Sequence, residues 1–89
     1  MAYQITNYSL KKAAQMNLKI APSKRKNKKI DVYKDGEYLV SIGNLQYSDY
    51  PTYIMTKGKA YADKRRILYY NRNKDNNGLA GQLAKRLLW

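Results

Sequence analysis

Ile30-Asp31-Val32-Tyr33-Lys34-Asp35-Gly36-Glu37-Tyr38-Leu39-Val40-Ser41-Ile42-Gly43 is the stretch that decides the fold class. Ile30 and Val32 alternate with polar neighbours before Asp35-Gly36, and Tyr38, Val40 and Ile42 alternate after it. A period of two gathers side chains on one face of a strand. Asp-Gly tolerates the positive φ that a two-residue hairpin turn requires. The stretch therefore predicts two antiparallel strands whose apolar set faces a core, with Gly43 and Asn44 ending the second.

Upstream, Tyr3-Gln4-Ile5-Thr6 alternates as a short strand would. Ser9 offers an N-cap to a helix over Leu10 to Met16 that places Leu10, Ala13, Ala14 and Leu18 on one face. Leu18-Lys19-Ile20 reads equally well as extended chain, and Pro22 stops any helix from continuing. Downstream, Ser48 or Asp49 caps a short helix with Pro51 in its first turn, and Gly58 separates it from a longer helix, Lys59 to about Asn73. On that helix Tyr61, Arg65, Leu68, Tyr69 and Arg72 form one stripe. Asn73 to Gly78 is a polar turn, Leu79, Leu83, Leu87 and Leu88 form a last helical stripe, and Trp89 packs into the core, the reading favoured, or against a neighbouring subunit. The expectation is one α+β domain over residues 1–89: a small antiparallel sheet, built on a hairpin at about 29–43, packed by three or four helices.

Charge is the dominant functional signal. Eighteen Lys and Arg stand against six Asp and Glu in 89 residues, a net of +12. Self-repulsion of that size does nothing for folding, so it serves a polyanionic partner, with nucleic acid first. Lys24, Arg25, Lys26, Lys28 and Lys29 fall within seven residues that contain nothing apolar, directly before the first hairpin strand. Such a block cannot bury itself and reads either as a solubilising surface loop or as a loop or edge whose natural contact is an anion; its place directly before a strand favours the second. Arg65, Arg66 and Arg72 form a second group. Arg65 and Arg72 interrupt the apolar stripe of their helix, which leaves two readings: bracing of Tyr hydroxyls and carboxylates within the fold, or an anion-binding ridge at its edge. Arg66, with Lys59 and Lys64, lies off that stripe toward solvent.

Other chemistries find little support. With no Cys and no His, thiolate nucleophiles, disulfides, the usual general base and the commonest zinc ligands are all missing. The six carboxylates (Asp31, Asp35, Glu37, Asp49, Asp63, Asp75) are scattered, and each has a simpler role in a turn or cap. No catalytic residue, metal site, cofactor or small-molecule substrate is expected, and the chain does not read as an enzyme. No apolar run spans a bilayer, and Met1-Ala2-Tyr3-Gln4 does not begin a secretory signal, so neither a membrane partner nor signal-directed secretion is expected.

Several strings are specific in combination: Pro22-Ser23 before the basic run, Lys29-Ile30-Asp31-Val32, Ser41-Ile42-Gly43, Tyr47-Ser48-Asp49-Tyr50, Tyr61-Ala62-Asp63-Lys64-Arg65-Arg66, Tyr70, Arg72 and Leu87-Leu88-Trp89. With them the chain resembles, nearly end to end, a family of small basic proteins of unknown function encoded by giant DNA viruses and tailed phages. It departs from that pattern at Leu79-Ala80-Gly81-Gln82-Leu83, where aromatics are expected after the glycine. The resemblance implies a viral or phage origin, and thus a location in the virion or the host-cell interior; the family carries no activity to transfer. The order of hairpin, Ser-Ile-Gly, Tyr-Pro turn and helix with paired Arg is also similar to the arm-type DNA-binding domains of phage integrases, a likeness of layout.

The function expected is a viral or phage accessory protein that contacts nucleic-acid phosphates through the two basic groups, largely without sequence specificity. Tyr47, Tyr50 or Tyr70 would stack on unpaired bases. The alternatives are a virion component, such as a minor capsid or genome-associated protein, and a modulator of a host factor; these would make capsid or host proteins the partners.

Overall fold

The computed structural model describes residues 3–89. Met1 and Ala2, which open the segment examined for a signal sequence, lie outside the described residues. The chain runs α1 (Asn7–Gln15), β1 (Lys19–Pro22), β2 (Ile30–Lys34), β3 (Glu37–Ile42), α2 (Tyr50–Lys57), α3 (Lys59–Arg72) and α4 (Leu79–Leu87). This is a small α+β fold, with one antiparallel sheet in the order β1-β2-β3 and four helices.

The hairpin forms around Asp35 and Gly36, both left-handed at φ 52° and 82°. These are the two central turn positions at which positive φ matches the twist of the flanking strands. Ile30 pairs with Ile42 and Val32 with Val40, while Ile20 of β1 pairs with Val32 from the other side. That face packs on α4 and α1, and Ala13, Ile30, Val32, Ile42, Leu83, Leu87 and Leu88 form its buried centre.

Simple alternation puts Tyr38 on this inner face, and here the structure differs. The register slips between Val32 and Tyr33, so Tyr33 pairs with Tyr38 and Leu39 becomes the extra residue of a bulge. One inserted residue reverses the facing of everything beyond it. Tyr38 thus turns to the outer face, where its ring meets Tyr33 edge-on at 5.9 Å.

The helices also correct the sequence reading at several points. Residues 3–6 form no strand; Thr6 caps α1, accepting from the Ser9 amide at 3.3 Å. Ser9 lies inside the helix, and its hydroxyl donates to the Leu87 carbonyl at 2.6 Å. Packing on α4 through Ser9 selects a buried stripe of Ser9, Ala13 and Met16 and leaves Leu10 46% exposed. On α3 the buried side is Ala62 with Arg65, Arg66 and Tyr69 partly covered, so Tyr61, Leu68 and Arg72 stay exposed. Leu79 is likewise exposed at the start of α4. Trp89 is buried and stacks on Tyr69 with ring centres 4.3 Å apart, tying the chain end to α3.

Asp49 organises the other end of the core. It caps α2, accepting from the Thr52 amide at 3.1 Å, and takes a hydrogen bond from the Tyr3 hydroxyl at 2.6 Å. The Lys29 ammonium lies 2.8 Å from it, in an ion pair with almost no solvent access. The Lys29 stem runs past Gly43, whose φ is +80°. A Cβ there would come within 2.8 Å of Leu88 Cδ1 and 2.9 Å of Lys29 Cδ. Backbone strain and overpacking therefore add: Gly43→Ala is expected to cost about 2 kcal/mol or more. In a domain of this size that is a fall of about 8–16 °C in the melting midpoint, read by circular dichroism.

Candidate nucleic-acid interface

The basic block connects β1 to β2. It is held at three levels, which makes it a fixed projection of the sheet edge. The Ser23 amide donates to the Lys29 carbonyl at 3.0 Å, continuing the ladder one pair beyond Pro22 and Ile30. The Lys28 amide closes a turn onto the Arg25 carbonyl at 3.3 Å, with Asn27 left-handed at φ 66°. The Asn27 carbonyl accepts from the Leu45 amide at 3.0 Å.

Asp31 latches this loop from below. Its Oδ1 accepts from the Ser23 and Ser41 hydroxyls, each at 2.6 Å, and its Oδ2 accepts from the Lys24 amide at 3.1 Å. Ser41 Oγ also shares a 2.7 Å hydrogen bond with the Tyr38 hydroxyl, which lies 3.5 Å from an Arg25 guanidinium nitrogen. Burial alone would raise the Asp31 pKa, but the hydrogen bonds from Ser23, Ser41 and the Lys24 amide outweigh it and hold the carboxyl below its usual range. Asp49 follows the same logic, with burial opposed by Lys29, Thr52 and Tyr3 and the net shift downward. A depressed folded-state pKa gives stability that is present above the unfolded value and lost as pH falls through the folded one. Thermal melts are accordingly expected to hold down to about pH 4, the ordinary carboxylate value, and to drop steeply below it. Asp31→Asn is expected to make that drop shallower.

Above the latch, the outer sheet face continues the site. Lys19 pairs with Tyr33 and Tyr33 with Tyr38, and directly opposed residues share a face. Lys19 and Tyr38 are exposed and Tyr33 is half-buried, so a cation and two phenol rings form a row open to solvent. Lys24, Arg25 and Lys26 are exposed and Lys28 is half-buried at the loop end of the same sheet. Asp35 and Glu37 sit at the hairpin tip, about 13 Å from the loop end along β2 at strand rise but next to the Tyr33–Tyr38 pair.

Lys29 does not belong with the other four. It is 4% exposed, and its ammonium is committed to Asp49, so no phosphate can take it without breaking the core. The second basic group also divides. At 100° per residue, Arg65 and Arg66 leave α3 in different directions. Arg66 places its guanidinium 4.5 Å from the centre of the Tyr50 ring and is half-buried, correcting the expectation that it points to solvent. Arg65 and Arg72, two helical turns apart, border a cavity of about 240 Å³ with Tyr69 and Trp89. Arg65 lies 5.7 Å over the Tyr53 ring, so the bracing and ligand-facing readings both have a footing at this residue.

No family model, curated protein or solved structure matches this chain. The site therefore rests on its own chemistry. Among the described residues no helix is long and apolar enough to cross a membrane.

Of the tyrosines expected to stack on bases, Tyr50 is buried, with its hydroxyl donating to Asp63 at 2.7 Å. Tyr47 is 65% exposed, and Tyr70 is partly exposed with its hydroxyl on the Lys85 carbonyl at 3.2 Å. Tyr33, Tyr38 and Lys19 are the residues the sequence reading missed. The polar half of the strand alternation carried the signal for Tyr33, while only the bulge brings Tyr38 beside it.

Proposed function

We propose that this chain is a nucleic-acid-binding accessory protein of a virus or phage, which holds the phosphate backbone with the β1–β2 loop and lays its outer sheet face against the strand. The observation that carries this reading is the latched loop: Lys24, Arg25, Lys26 and Lys28 project from a sheet edge fixed by Asp31, next to the Lys19–Tyr33–Tyr38 row. A backbone already held in place spares the cost of ordering the loop on meeting phosphates, and two rings beside it offer apolar contact to bases or sugars. None of these contacts reads a base-edge pattern, so little sequence preference is expected. The viral setting rests on the family resemblance alone.

The test is a fluorescence-anisotropy titration of labelled duplex DNA, single-stranded DNA and RNA at several salt concentrations. Five cations, these four with Lys19, predict a slope of log affinity against log salt of about −3.5 to −4.5. Stronger binding to single strands assigns the rings to stacking. Absence of binding to all three at low salt rejects the proposal and directs the +12 charge toward an acidic protein surface.

A further inference from the structure

The cavity beside α3 is unused by the sheet-face interface, and its composition is one-sided. Arg65 and Arg72 border it, and no Asp or Glu does. Among the described residues the ion pairs are Lys29–Asp49 and Lys59–Asp63, so neither arginine has a carboxylate partner. Arg65 Nε is buried and has no hydrogen-bond partner among the described residues. That nitrogen is closed to solvent and does not face the cavity, so an anion there would meet the other guanidinium nitrogens of Arg65 and those of Arg72. Burial and the neighbouring Tyr70 push the Tyr69 phenol up, and the Arg72 charge acts against that rise. Ser48 adds a hydroxyl to the lining, and buried Leu88 and Trp89 add apolar surface.

We propose that this cavity is a phosphate-monoester site, in which Arg65 and Arg72 take the dianionic phosphate of a nucleotide or of a nucleic-acid 5′ end. Two guanidinium forks suit the several oxygens of a terminal phosphate. A pocket of about 240 Å³ has room for a phosphate end group. Asn44 lines the cavity, and its neighbour Leu45 donates its amide to the Asn27 carbonyl of the basic loop. The site does not depend on the sheet-face reading, since a free phosphate monoester would bind whether or not the loop holds nucleic acid.

Trp89, the only tryptophan, forms part of the wall and reports occupancy by its fluorescence. Titration with ribose 5-phosphate is expected to give a saturable change that ribose and chloride at equal ionic strength do not. Arg65→Gln and Arg72→Gln are each expected to weaken it about tenfold or more, the loss of a charge-assisted hydrogen bond. Arg72 is exposed in the last turn of α3, so Arg72→Gln keeps the fold even if Arg65→Gln does not. Replacing Lys24, Arg25, Lys26 and Lys28 by Ser must leave ribose 5-phosphate binding intact, which separates this site from the loop. A 5′-phosphorylated oligonucleotide that binds more tightly than its 5′-hydroxyl twin, with the difference lost in Arg72→Gln, assigns the site to strand ends. Equal binding of the twins beside saturable ribose 5-phosphate binding assigns it to free nucleotides. No saturable change with ribose 5-phosphate, or one unaltered in Arg72→Gln, overturns the proposal.

Discussion

Asp49→Asn is expected to destabilise the protein by about 3–5 kcal/mol, the cost of leaving one partner of a buried ion pair uncompensated. Against the roughly 5–15 kcal/mol that holds a typical domain folded, that is enough to populate unfolded chains at room temperature. Asparagine keeps the helix cap on Thr52 through Oδ1 but puts an NH2 group where Oδ2 accepts from Tyr3 and Lys29, so the variant removes the charge facing Lys29 together with the Tyr3 acceptor. Adding Lys29→Met removes the stranded ammonium and fills the same apolar channel beside Gly43 and Leu88. The double variant is therefore expected to recover most of the loss, because a buried pair is worth little more than apolar groups of its size. Urea unfolding of the two single variants and the double variant measures this. A single-variant loss below about 1 kcal/mol would mean that Lys29 escapes to solvent and the ion pair is not structural.

Replacing Lys24, Arg25, Lys26 and Lys28 by Ser is expected to have the largest effect on binding. Each phosphate contact removed takes about 0.9 from the salt slope, so the variant should lose about three to four units and bind almost independently of salt. Its stability should barely change, because the three exposed positions and half-buried Lys28 make no side-chain bond to the core, and Ser23 and Asp31 remain to fix the loop. Lys29 is left in place for the same reason. Its removal would lower binding by unfolding the protein and say nothing about the interface.

How far the sequence carried this reading depended on whether local chemistry or long-range contacts decided each element. Asp35-Gly36, the Asp49 cap with Pro51 behind it, and the Gly58 break act within a few residues, and each forms where its chemistry predicts. Ser9 satisfies the local rule for a cap equally well, yet it bonds to Leu87, 78 residues away. The bulge at Leu39 has no turn residue or charge to announce it, and it decides which face Tyr38 occupies. Lys29 is indistinguishable in sequence from its four basic neighbours. Only the fold brings Asp49 to it, and with that contact the largest charge cluster loses one member to the core. Arg65 and Arg66 show the same limit: adjacent on the chain, they face different tyrosines because the helix rotates between them.

Mapping the interface residue by residue tests the central claim most directly. Backbone amide shifts of the labelled protein would be followed by NMR as a short unlabelled oligonucleotide with a 5′ hydroxyl, which leaves the Arg65–Arg72 cavity empty, is added. The account predicts the largest changes at residues 19–28 and at Tyr33 and Tyr38, with α2 and the exposed face of α3 unaffected. Changes centred on α2 or α3 with the β1–β2 loop silent would contradict it, and so would no change at all at low salt.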